Sequence, residues 1–197
     1  MDATSSRKQT THDRILDIAA ASVRATGFHG TGVADIMKQA GLTHGGFYAH
    51  FASRDALLAE ALARAGQDSG ERMRRSVAAR QARGASPLRA MVENYLSDRH
   101  LRDAECGCPV AALASEMPRQ APEVRQVAAQ NVKSLLDGVG RALPAGSGAA
   151  AAAAVASQMV GALQLARALG DNAEGRAVLA SARSALLEQY DIPSSTR

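Results

Sequence analysis

Residues 27–51 read GFHGTGVADIMKQAGLTHGGFYAHF, and this stretch decides the fold. Val33, Ile36, Met37 and Ala40 stand at i, i+3, i+4 and i+7, which lays one apolar stripe along a short helix. Gly41-Leu42-Thr43 breaks that period, and a second short segment continues through Phe51. Two helices of about seven or eight residues are too short to stand alone, so they must pack on each other and on a helix before them. Helix, Gly-containing turn and helix is the helix-turn-helix arrangement, whose second helix enters the DNA major groove. The turn supplies the parts: small Ala40 lets the helices approach, Gly41 takes the sharp bend, Leu42 plugs the core and Thr43 caps the reading helix.

Upstream, a helix is predicted to start near Thr10 or Thr11, where Thr10 and Asp13 have capping-box spacing, and to run through Ile15, Ile18, Ala19 and Val23. Gly27 stops it where a positive φ is wanted. Residues 1–9, MDATSSRKQ, are polar and without period and read as a mobile, disordered arm. Downstream, Ser53 is the N-cap of a long helix whose stripe is Leu57, Leu58, Ala61, Leu62 and Ala65. Ser86-Pro87 starts a helix towards Leu101, and Pro109 opens a short one to Met117. Val124 to Val139, Ala149 to Leu169 and Ala173 to Tyr190 mark three more. The reading is an all-α fold of about nine helices. A helix-turn-helix unit over residues 10–52 is joined by the helix after Ser53 to a ligand-binding and dimerisation bundle over 53–197.

Composition agrees. Of the 197 residues 43 are Ala, against 16 Val and Ile together and six aromatics, so the best helix former dominates and an all-β fold is excluded. Twenty Arg and three Lys against 19 acids leave a net charge of +4, which permits a polyanionic partner. The first 55 residues carry only six Lys or Arg against five acids, so short-range contacts must do more there than bulk charge. The N-terminus has no apolar core of a secretory signal, and Ala149–Leu169 is interrupted by Ser157, Gln158, Gln164 and Arg167. The expectation is a cytoplasmic protein with no membrane partner. No Gly-x-Ser-x-Gly, P-loop or dinucleotide fingerprint is present, so catalysis and a cofactor are not expected.

Residues 11–62 resemble the DNA-binding domain of the TetR/AcrR family of bacterial transcription regulators. The resemblance is clearest in Val33-Ala34-Asp35-Ile36, Ala40-Gly41-Leu42-Thr43 and Phe47 through Leu57. It implies an all-helical homodimer that binds a palindromic operator on double-stranded DNA and is released by a small-molecule effector. Carried over by position, Thr31, Thr43, Tyr48, His50 and Arg54 match backbone-contacting residues, and His44, Gly45 and Gly46 match the turn that faces base edges. Gly32 stands where the family usually has Thr, losing a side-chain cap, and Arg54 replaces the usual Lys, adding a fork of donors. Gly45-Gly46 would weaken an isolated helix by about 1 kcal/mol each, in return for close backbone approach or for ordering on DNA. The rival reading is a helical protein-interaction scaffold that has lost DNA binding.

Cys106-Gly107-Cys108-Pro109 admits three readings: small residues packing where a helix begins, a redox or electrophile sensor, or a metal site completed by His100. No metal-ligand spacing supports the last. Met91, Tyr95, Met117, Leu135 and Met159 are candidates for lining an effector pocket, although such residues at helical spacing are more often plain core. Val155, Met159 and Leu163, with Val178, Ala182 and Leu186, form two apolar faces read as a four-helix dimer seam. Such a dimer would set operator half-sites about one DNA turn, ~34 Å, apart or a multiple of it.

Overall fold

The computed structural model describes residues 3–191, and every regular element among them is helical. The α-helices are α1 (Ala3–Gly30), α2 (Val33–Gln39), α3 (Arg54–Gln81), α4 (Pro87–Tyr95), α5 (Asp98–Arg102), α6 (Pro109–Leu113), α7 (Pro122–Ala142), α8 (Gly148–Leu169) and α9 (Ala173–Tyr190). Two 3-10 turns cover His44–Ala49 and Met117–Arg119. The all-α reading and the count of nine both hold among the described residues, but the nine are not the same nine. The segment predicted as the reading helix is a 3-10 turn, and the predicted helix from Ser86 to Leu101 is two. Ser97 makes that break: its hydroxyl donates to the Asn94 carbonyl at 2.8 Å and accepts from the His100 N–H at 3.2 Å, capping α5.

The start of the chain corrects the sequence reading. Helix α1 begins at Ala3, so most of the expected arm is helical, and residues 1 and 2 lie outside the described residues. Arg7, Lys8 and Gln9 are good helix formers, and the turn is laced by Thr11 Oγ1 donating to the Arg7 carbonyl at 2.9 Å and Gln9 donating to Asp13 at 3.3 Å. The absence of an apolar stripe hides this turn in the sequence. Gly27 breaks α1 as expected, at φ 78° and ψ 173°.

The chain forms two compact units, and their boundary is not at residue 53. The first runs to Asp68 and includes Glu105–Asn131; the second takes Ser69–Ala104 and the chain from Val132 onwards. Helices α3 and α7 therefore each contribute to both. Segment 105–131 belongs with the N-terminal unit because α6 packs on α1 and a shared core joins them. That core consists of Val23, Phe28, Leu58, Leu62, Leu113, Met117, Val124 and Ala128. A second cluster, Ile15, Leu16, Ala19, Ile36, Met37, Ala40, Phe47, Phe51, Leu57 and Ala61, holds the helix-turn-helix. Each large side chain so buried contributes about 1.5–3 kcal/mol, which stabilises elements too short to form alone.

In the second unit α8 packs along α9, with α4 on α9 and α5 on α8. Gly175 permits the tight α8–α9 connection, since a Cβ there would lie 2.2 Å from the Gly170 carbonyl oxygen. Helix α8 is long and apolar enough to cross a membrane by composition. In the fold it is a core helix, with Val155, Ala156, Met159, Leu163 and Ala166 buried and Arg167 donating to the His100 carbonyl at 2.7 Å. The residues of the predicted dimer seam divide. Val155, Met159, Leu163 and Leu186 are fully buried inside one chain, and Val178 and Ala182 are half-buried. The outward face of α8 instead carries Leu165 and Leu169, 62% and 44% exposed.

Candidate nucleic-acid interface

The turn between α2 and the 3-10 segment is a complete helix stop. Gly41, at φ 68°, donates its N–H to the Lys38 carbonyl at 3.0 Å, and Leu42 donates to the Met37 carbonyl at 2.9 Å. These are the two bonds of a Schellman motif, with the left-handed residue where only Gly is unstrained. The chain leaves extended at Thr43 (φ −79°, ψ 151°), and the next turn closes with Gly46 N–H on the Thr43 carbonyl at 3.1 Å. Thr43 is thus the N-cap by position, but its side chain makes no cap bond. Gly32 is the N-cap of α2, and it too lacks a side-chain bond.

Phe47 anchors the segment. It is buried, lies stacked 5.6 Å from Phe51 and edge-on to Tyr48 at 5.1 Å, so the rest of the turn faces outward. Thr43, His44 and Gly45 are exposed, and Tyr48 is 71% exposed. Neither Gly45 nor Gly46 has the positive φ that demands glycine. A Cβ on Gly45 meets nothing within 4 Å, and one on Gly46 meets Met37 at an ordinary 3.7 Å. The fold does not need these glycines.

His50 caps the segment and is half-buried, with its Nδ1 enclosed and without a hydrogen-bond partner among the described residues. Burial, His12 and then Lys8 lower its pKa, favouring the neutral imidazole. His12 stacks on Phe51 at 4.5 Å and reaches Glu60 at 2.9 Å, tying α1 to α3 beside it. Lys8, in the unforeseen first turns, is one of the cations that lower the His50 pKa. With exposed Lys38 and Gln39 on α2, Lys8 is a candidate contact that sequence reasoning misses, because composition and period read the arm as unstructured.

Two residues assigned by resemblance are occupied elsewhere. Thr31 is buried, and its hydroxyl donates to the Gly27 carbonyl at 2.7 Å, so it is not presented to a phosphate. Arg54 is exposed, yet one of its terminal nitrogens donates to the Phe28 carbonyl and, at 3.3 Å, to the Thr31 carbonyl. Part of its guanidinium therefore holds the α1–α2 turn.

The remaining candidates separate. Cys106 is exposed and Cys108 buried at the N-cap of α6, with no disulfide between them. Among the described residues no three His, Cys, Asp or Glu side chains are grouped to hold a metal ion. Met91, Tyr95 and Met159 are buried in the second unit and Leu135 is half-buried there, whereas Met117 packs in the first unit's core. Tyr95 meets His100 edge-on at 4.8 Å, and the His100 Nδ1 lies 2.7 Å from the Tyr95 carbonyl. Burial, reinforced by Arg167 and Arg72 and opposed by the Tyr95 carbonyl and Asp103, lowers the His100 pKa to about 4.

Residues 15–61 match the model of bacterial regulatory proteins of the tetR family, and residues 84–182 match that of the tetracyclin repressor-like C-terminal domain. The chain belongs to the tetR family. An uncharacterized HTH-type transcriptional regulator of Mycobacterium tuberculosis strain H37Rv is 28% identical over 128 residues, 61% of this chain. The chain spans about 63% of the length of the curated relatives it matches. Among solved structures, E. coli NemR in its reduced form superposes with a TM-score of 0.76 at 17% identity, over 94% of this chain and 99% of that one. A tetR-family regulator of Agrobacterium tumefaciens gives 0.74 at 23% identity, over 93% and 98%. At such identities these likenesses establish the fold.

Proposed function

We propose that this tetR-family chain is a cytosolic, DNA-binding transcription regulator, and that it works as a homodimeric repressor released from a palindromic operator by a small-molecule or thiol-reactive effector. The observation that carries the reading is the outward 3-10 segment, held by Phe47 and backed by two glycines the fold does not require. A bare backbone on a rigid base suits close approach to base edges, while exposed hydroxyl and basic groups suit phosphates. His44, Gly45 and Gly46 face the bases; Thr43, Tyr48 and His50 face the backbone with Lys8 and Lys38. Arg54 acts mainly by fixing the turn.

Dimerisation is proposed through the outward face of α8, where Leu165 and Leu169 are exposed and a Cβ on Gly161 meets nothing within 4 Å. A Leu165→Glu chain is expected to sediment as a monomer. The effector is proposed to enter the second unit near Met91, Tyr95, Leu135 and Met159, or to modify exposed Cys106. The reduced state given for the solved NemR structure supports asking whether a redox state matters here too.

A mobility-shift assay on the DNA flanking the chain's own gene tests the reading. Tyr48→Ala should weaken binding to every sequence, and His44→Ala should change base preference instead. Diamide treatment that leaves affinity unchanged would remove the thiol branch. Equal binding by wild type and both variants would reject the assignment of the segment.

A further inference from the structure

Phe28 is gripped at every polar and apolar point. Its ring is fully buried among Leu58, Leu62, Leu113 and Met117, and its carbonyl accepts from Arg54 at the start of α3. Its N–H donates to the carboxylate of Glu116 at 3.0 Å, across 88 residues of sequence. The same carboxylate lies 3.7 Å from the exposed His29 imidazole. It also lies against the residue before, whose positive φ already calls for glycine: a Cβ on Gly27 would fall 2.5 Å from Glu116 Oε1. Thr31 closes the turn from inside by donating to the Gly27 carbonyl. Glu116 is half-buried and sits three residues after α6, in the segment that opens with Cys106 and Cys108.

We propose that Glu116 is a positioning residue of the reading head: its carboxylate fixes the Gly27–Thr31 turn, hence the aim of α2 and the 3-10 segment, and hands control of DNA binding to segment 105–131. The inference rests on the proposed reading of His44–Ala49 as the DNA-contacting element. The geometry suits that role because a charged acceptor on a single backbone N–H is directional, so a shift of a few tenths of an ångström in the segment is felt at the turn. The Glu116 contacts are with Phe28, Gly27 and His29 rather than with His44–Ala49, so it acts on DNA through the turn.

The test compares the intact chain with Glu116→Ala, Glu116→Asp and Glu116→Gln. Three readouts are followed: affinity for the promoter duplex across a salt series, hydrogen exchange at the Phe28 amide, and melting temperature. Glu116→Ala is expected to bind at least tenfold more weakly with an unchanged salt slope, since no phosphate contact is lost, and to exchange the Phe28 amide at least tenfold faster. Amides of Ile36 and Met37 in the core of α2 should stay protected. Glu116→Gln keeps an acceptor oxygen and should stay within threefold of wild type on both measures. Glu116→Asp, whose carboxylate is withdrawn by one methylene, should fall between, and it decides the matter if the Ala variant fails to fold. A wild type that binds beside an equally tight Glu116→Ala variant overturns this inference alone, as does loss of affinity without faster Phe28 exchange. A wild type that ignores every duplex overturns the proposed function and this inference with it.

Discussion

The Gly27–Phe51 turn and the α8–α9 pair are built on opposite plans. In the turn almost every residue has a single role, with Gly41 supplying the left-handed stop, Phe47 the anchor and Thr31 an internal bond. In α8, Ala, Val and Leu appear on both faces, and what distinguishes Leu163 from Leu165 is only which side of the helix meets α9. Local chemistry thus sets the stop at Gly41 and the bends of the turn, with Glu116 added from 88 residues away, whereas tertiary packing alone fixes the faces of an alanine-rich helix.

The sharpest way to break that contrast lies on α8. Leu163→Ala should cost about 2–5 kcal/mol of unfolding free energy in denaturant melts, as a cavity in a packed core does. Leu165→Ala should stay within about 0.5 kcal/mol in the monomer, as a surface change does. Similar costs would mean the two faces are not distinct.

The second unit also carries the larger pH effect. The His100 pKa is lowered from 6.5 to about 4, so the fold favours the neutral ring. That contribution is complete above the unfolded value and is lost as pH falls towards the folded one. At about 1.4 kcal/mol per pKa unit, stability should fall by roughly 3 kcal/mol between pH 6.5 and pH 4. His100→Asn should flatten that part of the pH–stability curve. His50 in the first unit shifts in the same direction, so the reading segment should also loosen on acidification below pH 6.5.

Within the turn the two kinds of glycine separate. Gly41→Ala forces a side chain into the left-handed region and should cost about 1–2 kcal/mol. Gly45→Ala meets open space and an ordinary backbone, so it should leave the melting temperature unchanged while lowering operator affinity. A Gly45→Ala chain that binds DNA like wild type would show that close backbone approach is not used.

Legibility follows the same division. The stop at Gly41, the break at Gly27, the Ser53 cap, whose hydroxyl accepts from Ala56 N–H at 2.9 Å, and the buried stripe of α3 are all set by neighbours in sequence, and all are readable there. The internal bonds of Thr31 and Arg54 are not readable from resemblance, because it gives a position, while the partner of a hydroxyl or guanidinium depends on how the turn closes. Glu116 leaves no local mark: nothing in its own surroundings in sequence points to Phe28. The helix before Thr10 is hidden because helix propensity without an apolar face gives no periodic signal.

The most direct test of DNA reading by the His44–Ala49 segment is the binding of the intact chain to its promoter duplex, titrated from about 50 to 200 mM salt beside Lys8→Ala. The expected result is specific binding that weakens steeply as salt rises, with a slope lowered by about one when Lys8 is removed. Binding that is absent at low salt, or that is indifferent to salt, would contradict it.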